Sequence, residues 1–333
     1  MTKCLIIGSG VIGLSTAFEL NNQGYHVTIT DNNKVGQASK SAGGILFPLS
    51  PWKNSQFMQE LCISGHNEYN NFFNNLDLKD RKEINYKKSN IIIFGENLKY
   101  AKEWYKKNNF VKSEYYKNKL NLIEKNIKDI HKDYLLIKNI NTVDPNCLMN
   151  FYKKKLLNSG VVFKNDNIID LYNFVKIPEN KIYDFIIVAA GSWSNEILQK
   201  KDIALKPIKG QLLYFRAKRK LLNNVLLFDD YYLIPRKGNN VVVGSTLEDV
   251  GYENNITEEA KDYLRKSLLK IFSSDIDMQD IKYSFGFRPY SINDKPYICR
   301  DSTNKRIIYN FGHYRYGILT SISSAKIVSK FMS

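Results

Sequence analysis

Apolar residues in this chain fall into short runs and spaced stripes, and the two periods separate strands from helices. Cys4-Leu5-Ile6-Ile7, Phe185-Ile186-Ile187-Val188-Ala189-Ala190 and Ile307-Ile308-Tyr309 are unbroken apolar runs of strand length, while His26-Val27-Thr28-Ile29-Thr30, Val161 to Lys164 and Ile91-Ile92-Ile93-Phe94 also read as strands. Apolar positions Ile12, Leu14, Ala17, Phe18 and Leu20 predict a helix over Val11 to Gln23, ended by Gly24. Further helices are expected near Gln56 to Leu76, Leu98 to Asn108, Pro145 to Asn158 and Thr257 to Phe272. A terminal helix carries Ile318, Ile322, Ala325, Val328 and Phe331 on one face. Pro207 to Glu248 differs: Gln211 to Ala217, Val225 to Phe228, Tyr231 to Pro235 and Val241 to Gly244 read as antiparallel strands, with Lys237-Gly238-Asn239-Asn240 as a hairpin turn. The chain is of the α/β class.

The first strand leads into Gly8-Ser9-Gly10-Val11-Ile12-Gly13, a G-x-G-x-x-G pattern. Gly8 permits the tight turn, Gly10 lets the backbone approach a pyrophosphate, and Gly13 lets the helix pack on the strand. Phosphates would sit at the helix N-terminus, where unpaired N–H groups and the helix dipole favour anions. The second strand ends at Asp31, about where an acid that binds a ribose hydroxyl belongs. Asp31 points to an unphosphorylated ribose, so to FAD or NAD and not NADP; the pattern leaves those two open. A second strand-to-glycine turn, at Ala190-Gly191, fits one nucleotide-binding unit whose parts are far apart in sequence.

Composition narrows the class. A chain of 333 residues with 43% apolar content can pack a large core. It holds no apolar stretch of about eighteen residues that would predict a membrane span, and a signal peptide would have to consume the glycine pattern, so a cytoplasmic protein is expected. Cys4, Cys62, Cys147 and Cys299 are scattered, so neither a metal nor a disulfide framework is indicated. The formal charge of +16 raises nucleic acid as a partner. Its basic residues are dispersed in short clusters such as Lys87-Lys88 and Lys153-Lys154-Lys155, which fits solvated surface lysines better, and nucleic acid is not expected.

Candidate chemistry lies mainly in the second half. The small-residue stretch from Gly36 to Leu46 lets backbone lie against a flat ligand. Arg288 precedes Pro289, which holds its backbone extended and suits a guanidinium to bidentate carboxylate binding. Tyr231 and Tyr232 point to opposite faces of their strand, one toward core and one toward a cavity. His313 stands alone in a glycine turn, in the position of a structural hydrogen-bonding group. No acid/base catalytic set is present, as suits a protein whose cofactor carries the chemistry.

These features resemble the FAD-dependent D-amino acid oxidase family, in order along the chain: the opening pattern with Asp31, Ser39 to Gly44, Val143-Asp144-Pro145, Val188 to Ser194, Pro207 to Gln211, Val243 to Thr246, Gly286 to Pro289 and Gly312 to Ile318. Gly43 to Trp52 and His313 to Leu319 are most similar to its glycine oxidase branch, which serves thiamine synthesis. The resemblance implies a Rossmann-type FAD-binding domain, discontinuous in sequence (1–78, 143–205 and 284–333), with an inserted α+β substrate domain (79–142 and 206–283) built on a mostly antiparallel sheet. It implies FAD held by Gly8, Gly10, Val11, Ile12, Gly13, Asp31, Asn32, Ala38, Ser39, Gly43, Gly44, Ile45, Ile168, Ala190, Gly191, His313, Tyr314, Arg315, Tyr316, Gly317, Ile318 and Leu319.

For the substrate, the resemblance implies that Arg288 clamps a carboxylate, that Tyr232 assists, and that Arg315 and Leu247 line the pocket. The implied reaction is oxidative deamination of glycine and other small amino acids. Hydride passes to flavin N5, and dioxygen reoxidises the flavin to give hydrogen peroxide. A D-amino acid dehydrogenase and a tRNA carboxymethylaminomethyl-uridine oxidase stand as alternatives, and a homo-oligomer is possible.

Overall fold

The computed structural model describes residues 1–108, 110–117, 119–128, 133–200, 202–272 and 276–332. Two sheets organise it. The first has six strands in the order Tyr297–Arg300, Ile307–Phe311, Phe185–Val188, Lys3–Ile7, His26–Thr30 and Val162–Lys164. All neighbours run parallel except the first pair. Parallel strands need covering on both faces, which explains their near-continuous apolar runs. The helix Val11–Asn22 returns the chain between the first two strands, and Gly24, at φ +85°, turns it into the next.

The second sheet has eight strands: Met278–Ser291, Leu205–Ala217, Asn240–Gly244, Tyr231–Pro235, Val225–Phe228, Lys87–Phe94, Tyr134–Thr142 and Ser113–Tyr116. Neighbours are antiparallel except Lys87–Phe94 beside Val225–Phe228. Strand alternation sorts its side chains between two cores. Leu213, Phe215, Leu233 and Val243 pack under the helix Glu258–Ile271, while Leu212, Leu227, Tyr232 and Val242 pack toward Phe47, Trp104 and Tyr105.

Five elements depart from expectation. Sequence patterning found only Ile91–Phe94 in the lysine-rich segment, yet the strand runs Lys87–Phe94, and Tyr134–Thr142 and Ser113–Tyr116 extend the sheet beyond it. Only the end of Met278–Ser291 stood out in sequence, because polar residues break up its first half and Pro289 argues against a strand. As an edge strand it tolerates a proline. The terminal helix, Gly317–Lys330, is buried on nearly all sides and not on one face. The helix Gln56–Asn75 packs close against it: a side chain at Gly65 of that helix would strike the Leu319 carbonyl. The hydroxyls of the terminal helix bond back to it, as Ser323 does to the Thr320 carbonyl (3.0 Å) and Ser324 to that of Ser321 (3.2 Å).

Candidate active site

The glycine turn at Gly8 to Gly13 stands at the carboxyl end of the central parallel strand. Gly8 has φ +111°, and a side chain there would run into the Ala189 carbonyl of the neighbouring strand's end. Gly13 packs against the Gly8 carbonyl, so it shapes the turn without reaching the cavity in front of it. The carboxylate of Asp31 is tied to that turn. It accepts from the Ser9 N–H (2.5 Å) and hydroxyl (2.7 Å), and from the Asn33 N–H (2.6 Å). Ser39 reaches across from the small-residue stretch, and its Oγ accepts from the Val11 N–H at the helix start (3.1 Å).

From Asp31 a single cavity continues past the small-residue stretch to the closing turn. Gly44, at φ +70°, fits against the Val143 carbonyl and its N–H partner network: Val143 N–H donates to the Gly44 carbonyl (2.9 Å). This contact explains why Val143-Asp144-Pro145 and Gly43-Gly44 occur together. A side chain on Gly43 would come within 2.9 Å of the Tyr232 ring.

Arg288 and Tyr232 meet at the far end of the cavity. Strand pairing places Tyr232 opposite Gly244, whose lack of a side chain makes room for the phenol ring. Gly210 does the same for the Arg288 guanidinium. Arg288 Nη1 donates to the Thr246 carbonyl (3.0 Å), and Arg288 makes no salt bridge among the described residues. Burial, and then the nearby Arg315, push its pKa below the usual arginine value. Two guanidinium groups thus share one end of a cavity, a setting that favours an anion between them.

His313 is buried and neutral; burial drives its pKa down to about 3. One tautomer satisfies both nitrogens. Nε2–H donates to Asn310 Oδ1 (3.0 Å), and Nδ1 accepts from the Thr320 hydroxyl (2.9 Å). Asn310 Nδ2 in turn donates to Thr16 Oγ1 in the opening helix (3.0 Å). The chain of bonds locks the closing turn to the glycine turn and leaves His313 no role as a base.

The cavity therefore gathers the expected residues from Gly8 to Leu319 with two exceptions, Gly13 and Leu247. Leu247 is 61% exposed. It lies beyond the end of the strand Asn240–Gly244, between Thr246, whose hydroxyl oxygen accepts from the Gln211 N–H, and Glu248, whose backbone pairs with Lys209. Sequence reading quoted Gly210 and Gly244 within family-like motifs but gave neither a role, although a glycine inside a strand signals close approach by something else. Asn310, Thr16 and Thr320 carry no such signal.

The continuous cradle, opened by glycines, suits an extended dinucleotide. A sequence model described as "FAD dependent oxidoreductase" matches residues 3–331. Among curated proteins, the glycine oxidase of Pseudomonas aeruginosa is 26% identical over 99% of this chain and 94% of its own. The bifunctional protein ThiO/ThiG of Trichormus variabilis is 24% identical over 98% of this chain, which spans only 52% of that protein. Among solved structures, glycine oxidase from Bacillus cereus superposes with a TM-score of 0.87, covering 100% of this chain and 95% of that one at 21% identity.

Proposed function

The chain belongs to the family of FAD-dependent oxidoreductases, and on that premise we propose that it oxidises glycine and other small amino acids to imines, with dioxygen as final acceptor. The carrying observation is Arg288, an arginine at the cavity end without a carboxylate partner among the described residues. Its guanidinium would hold the substrate carboxylate, with the Tyr232 hydroxyl and Arg315 beside it. Bound FAD supplies the electron acceptor that links amine oxidation to oxygen reduction. In this reading Gly8, Gly10, Asp31 and Ser39 would hold its adenosine and phosphate half. Gly43, Gly44 and the turn from Gly312 to Gly317 would hold its ring system.

The substrate gives up two electrons and two protons in becoming the imine, and dioxygen takes up both pairs to become hydrogen peroxide. Among the described residues that line the cavity near Arg288, none is a free base. His313 is engaged on both nitrogens, and burial raises the pKa of Tyr314 and pushes that of Tyr316 up to about 12. The substrate amine must then enter already deprotonated. The alternation of charge and small residues orients it: the carboxylate fixed at Arg288 leaves the α-carbon to face the glycine-lined wall.

The test is a peroxide assay over glycine, sarcosine, D-alanine and D-proline across pH. The expected result is turnover of glycine or sarcosine, with kcat/KM rising as the substrate ammonium loses its proton. Turnover that needs an artificial acceptor would instead indicate a dehydrogenase, and FAD-loaded protein without turnover of any of the four would defeat the proposal. We further propose that the protein works in the cytoplasm and supplies the imine for thiazole assembly in thiamine synthesis, in keeping with the relative named ThiO/ThiG.

A further inference from the structure

The hydrogen bond that Arg288 makes to the Thr246 carbonyl leads into a polar cluster that the proposed reaction leaves unused. Thr246, whose carbonyl accepts from Arg288, donates its hydroxyl to the Glu248 carboxylate, and its Oγ1 accepts from the Gln211 N–H (2.8 Å). The Gln211 side-chain amide donates to both Glu248 oxygens (3.0 and 3.1 Å). The Lys209 ammonium lies 3.9 Å from Glu248 and donates to Asn255 Oδ1 (3.2 Å). Backbone bonds pair Lys209 with Glu248 in both directions (2.9 and 3.0 Å). Lys209 and Gln211 are fully buried, and between them sits Gly210, the residue that makes room for the Arg288 guanidinium.

We propose that Glu248 is a positioning residue for Arg288: its carboxylate fixes Thr246, whose carbonyl anchors Nη1 and so leaves the rest of the guanidinium edge to a ligand carboxylate. A carboxylate that gathers a hydroxyl, an amide and an ammonium is held rigidly, and so is whatever it holds. Its negative charge also offsets the repulsion of Arg315 on Arg288. Burying Lys209 and Gln211 costs desolvation, which Glu248 offsets by accepting from the Gln211 amide nitrogen and lying 3.9 Å from the Lys209 ammonium. The pattern is that of an outer layer of groups that orients a binding residue without touching the ligand.

This inference rests on Arg288 as the carboxylate clamp, so the experiment reads ligand binding apart from turnover. FAD-loaded protein is titrated with acetate, a carboxylate with no amine, and binding is followed through the visible absorbance of the flavin. Glu248→Ala is expected to weaken acetate binding and raise the glycine KM by about tenfold each, with kcat changed by less than about twofold. Glu248→Gln keeps acceptors for Gln211 and Thr246 and should recover most of the loss. In an Arg288→Lys background, which lacks the fork that donates to Thr246, Glu248→Ala should change acetate binding by less than about twofold. An equal loss in both backgrounds, or acetate binding that survives Glu248→Ala, overturns the inference alone. Wild-type protein that takes no acetate overturns the Arg288 clamp and this inference with it.

Discussion

Two charged side chains, Asp301 and Arg288, are drawn away from the surface of this protein, the first fully buried and the second partly, and they are treated in opposite ways. Asp301 is fully buried beside the strand Ile307–Phe311 and closed on every side by its own fold. Its carboxylate accepts from Lys200 (2.5 Å), Tyr172 (2.6 Å), Tyr309, the Thr303 hydroxyl (2.7 Å) and the Asn304 N–H (2.7 Å). Burial alone would raise its pKa, but Lys200 and the hydroxyl donors hold it well below the carboxylate range. Arg288 has one carbonyl partner and faces a second arginine. A charge completed by the protein does structural work; a charge left incomplete at a cavity is a place for a ligand.

The comparison can be broken by substitution. Arg288→Ala should cost the most: kcat/KM for glycine is expected to fall by about a thousandfold, on the order of 4 kcal/mol, while the urea midpoint moves little. A large loss of stability in this variant would put Arg288 in the same class as Asp301. Asp301→Asn should do the reverse. Loss of a paired buried charge is expected to cost on the order of 3 kcal/mol in urea unfolding, with kcat/KM of the folded enzyme unchanged. Because the folded pKa of Asp301 is depressed, its contribution is present above the unfolded value of about 3.9 and is lost as pH falls below it.

His313 sharpens the contrast from a third position, since it is buried with both nitrogens bonded but carries no charge. Its folded pKa of about 3 lies below the unfolded value of about 6.5, so the unfolded chain binds the extra proton between them. Stability is therefore complete above pH 6.5 and lost as pH falls toward 3. Between pH 6.5 and 5 the expected loss is on the order of 2 kcal/mol, and His313→Gln should remove that slope from urea midpoints measured at the two pH values. A slope that persists in the variant would assign the acid sensitivity elsewhere. The pH dependence of turnover above pH 6 should be the same in both proteins.

The fold was legible wherever the signal was local. The opening strand, glycine turn, helix and second strand lie within thirty-one residues, and the helices at Leu98–Asn108 and Pro145–Asn158 match their expected ends. Strands whose stability comes from their neighbours were harder. Tyr134–Thr142 carries an interior Lys138-Asn139 that breaks the alternation, and it is held by strands on both sides. The candidate binding residues divide in the same way: Asp31 and Arg288 could be picked out by motif, whereas Glu248 and Asn310 belong to no local pattern.

By itself the sequence determined that a dinucleotide fingerprint opens the chain and that an arginine held by a proline comes near its end. Local sterics are enough for both: glycine at positive φ makes the turn, and proline restricts the residue before it. The tertiary structure alone decided that Arg288 lies over Gly210, that Tyr232 and not Tyr231 faces the cavity, and that Leu247 faces solvent. The first two outcomes depend on strand register, where a shift of one residue reverses every side chain, and register is settled only when distant segments pair.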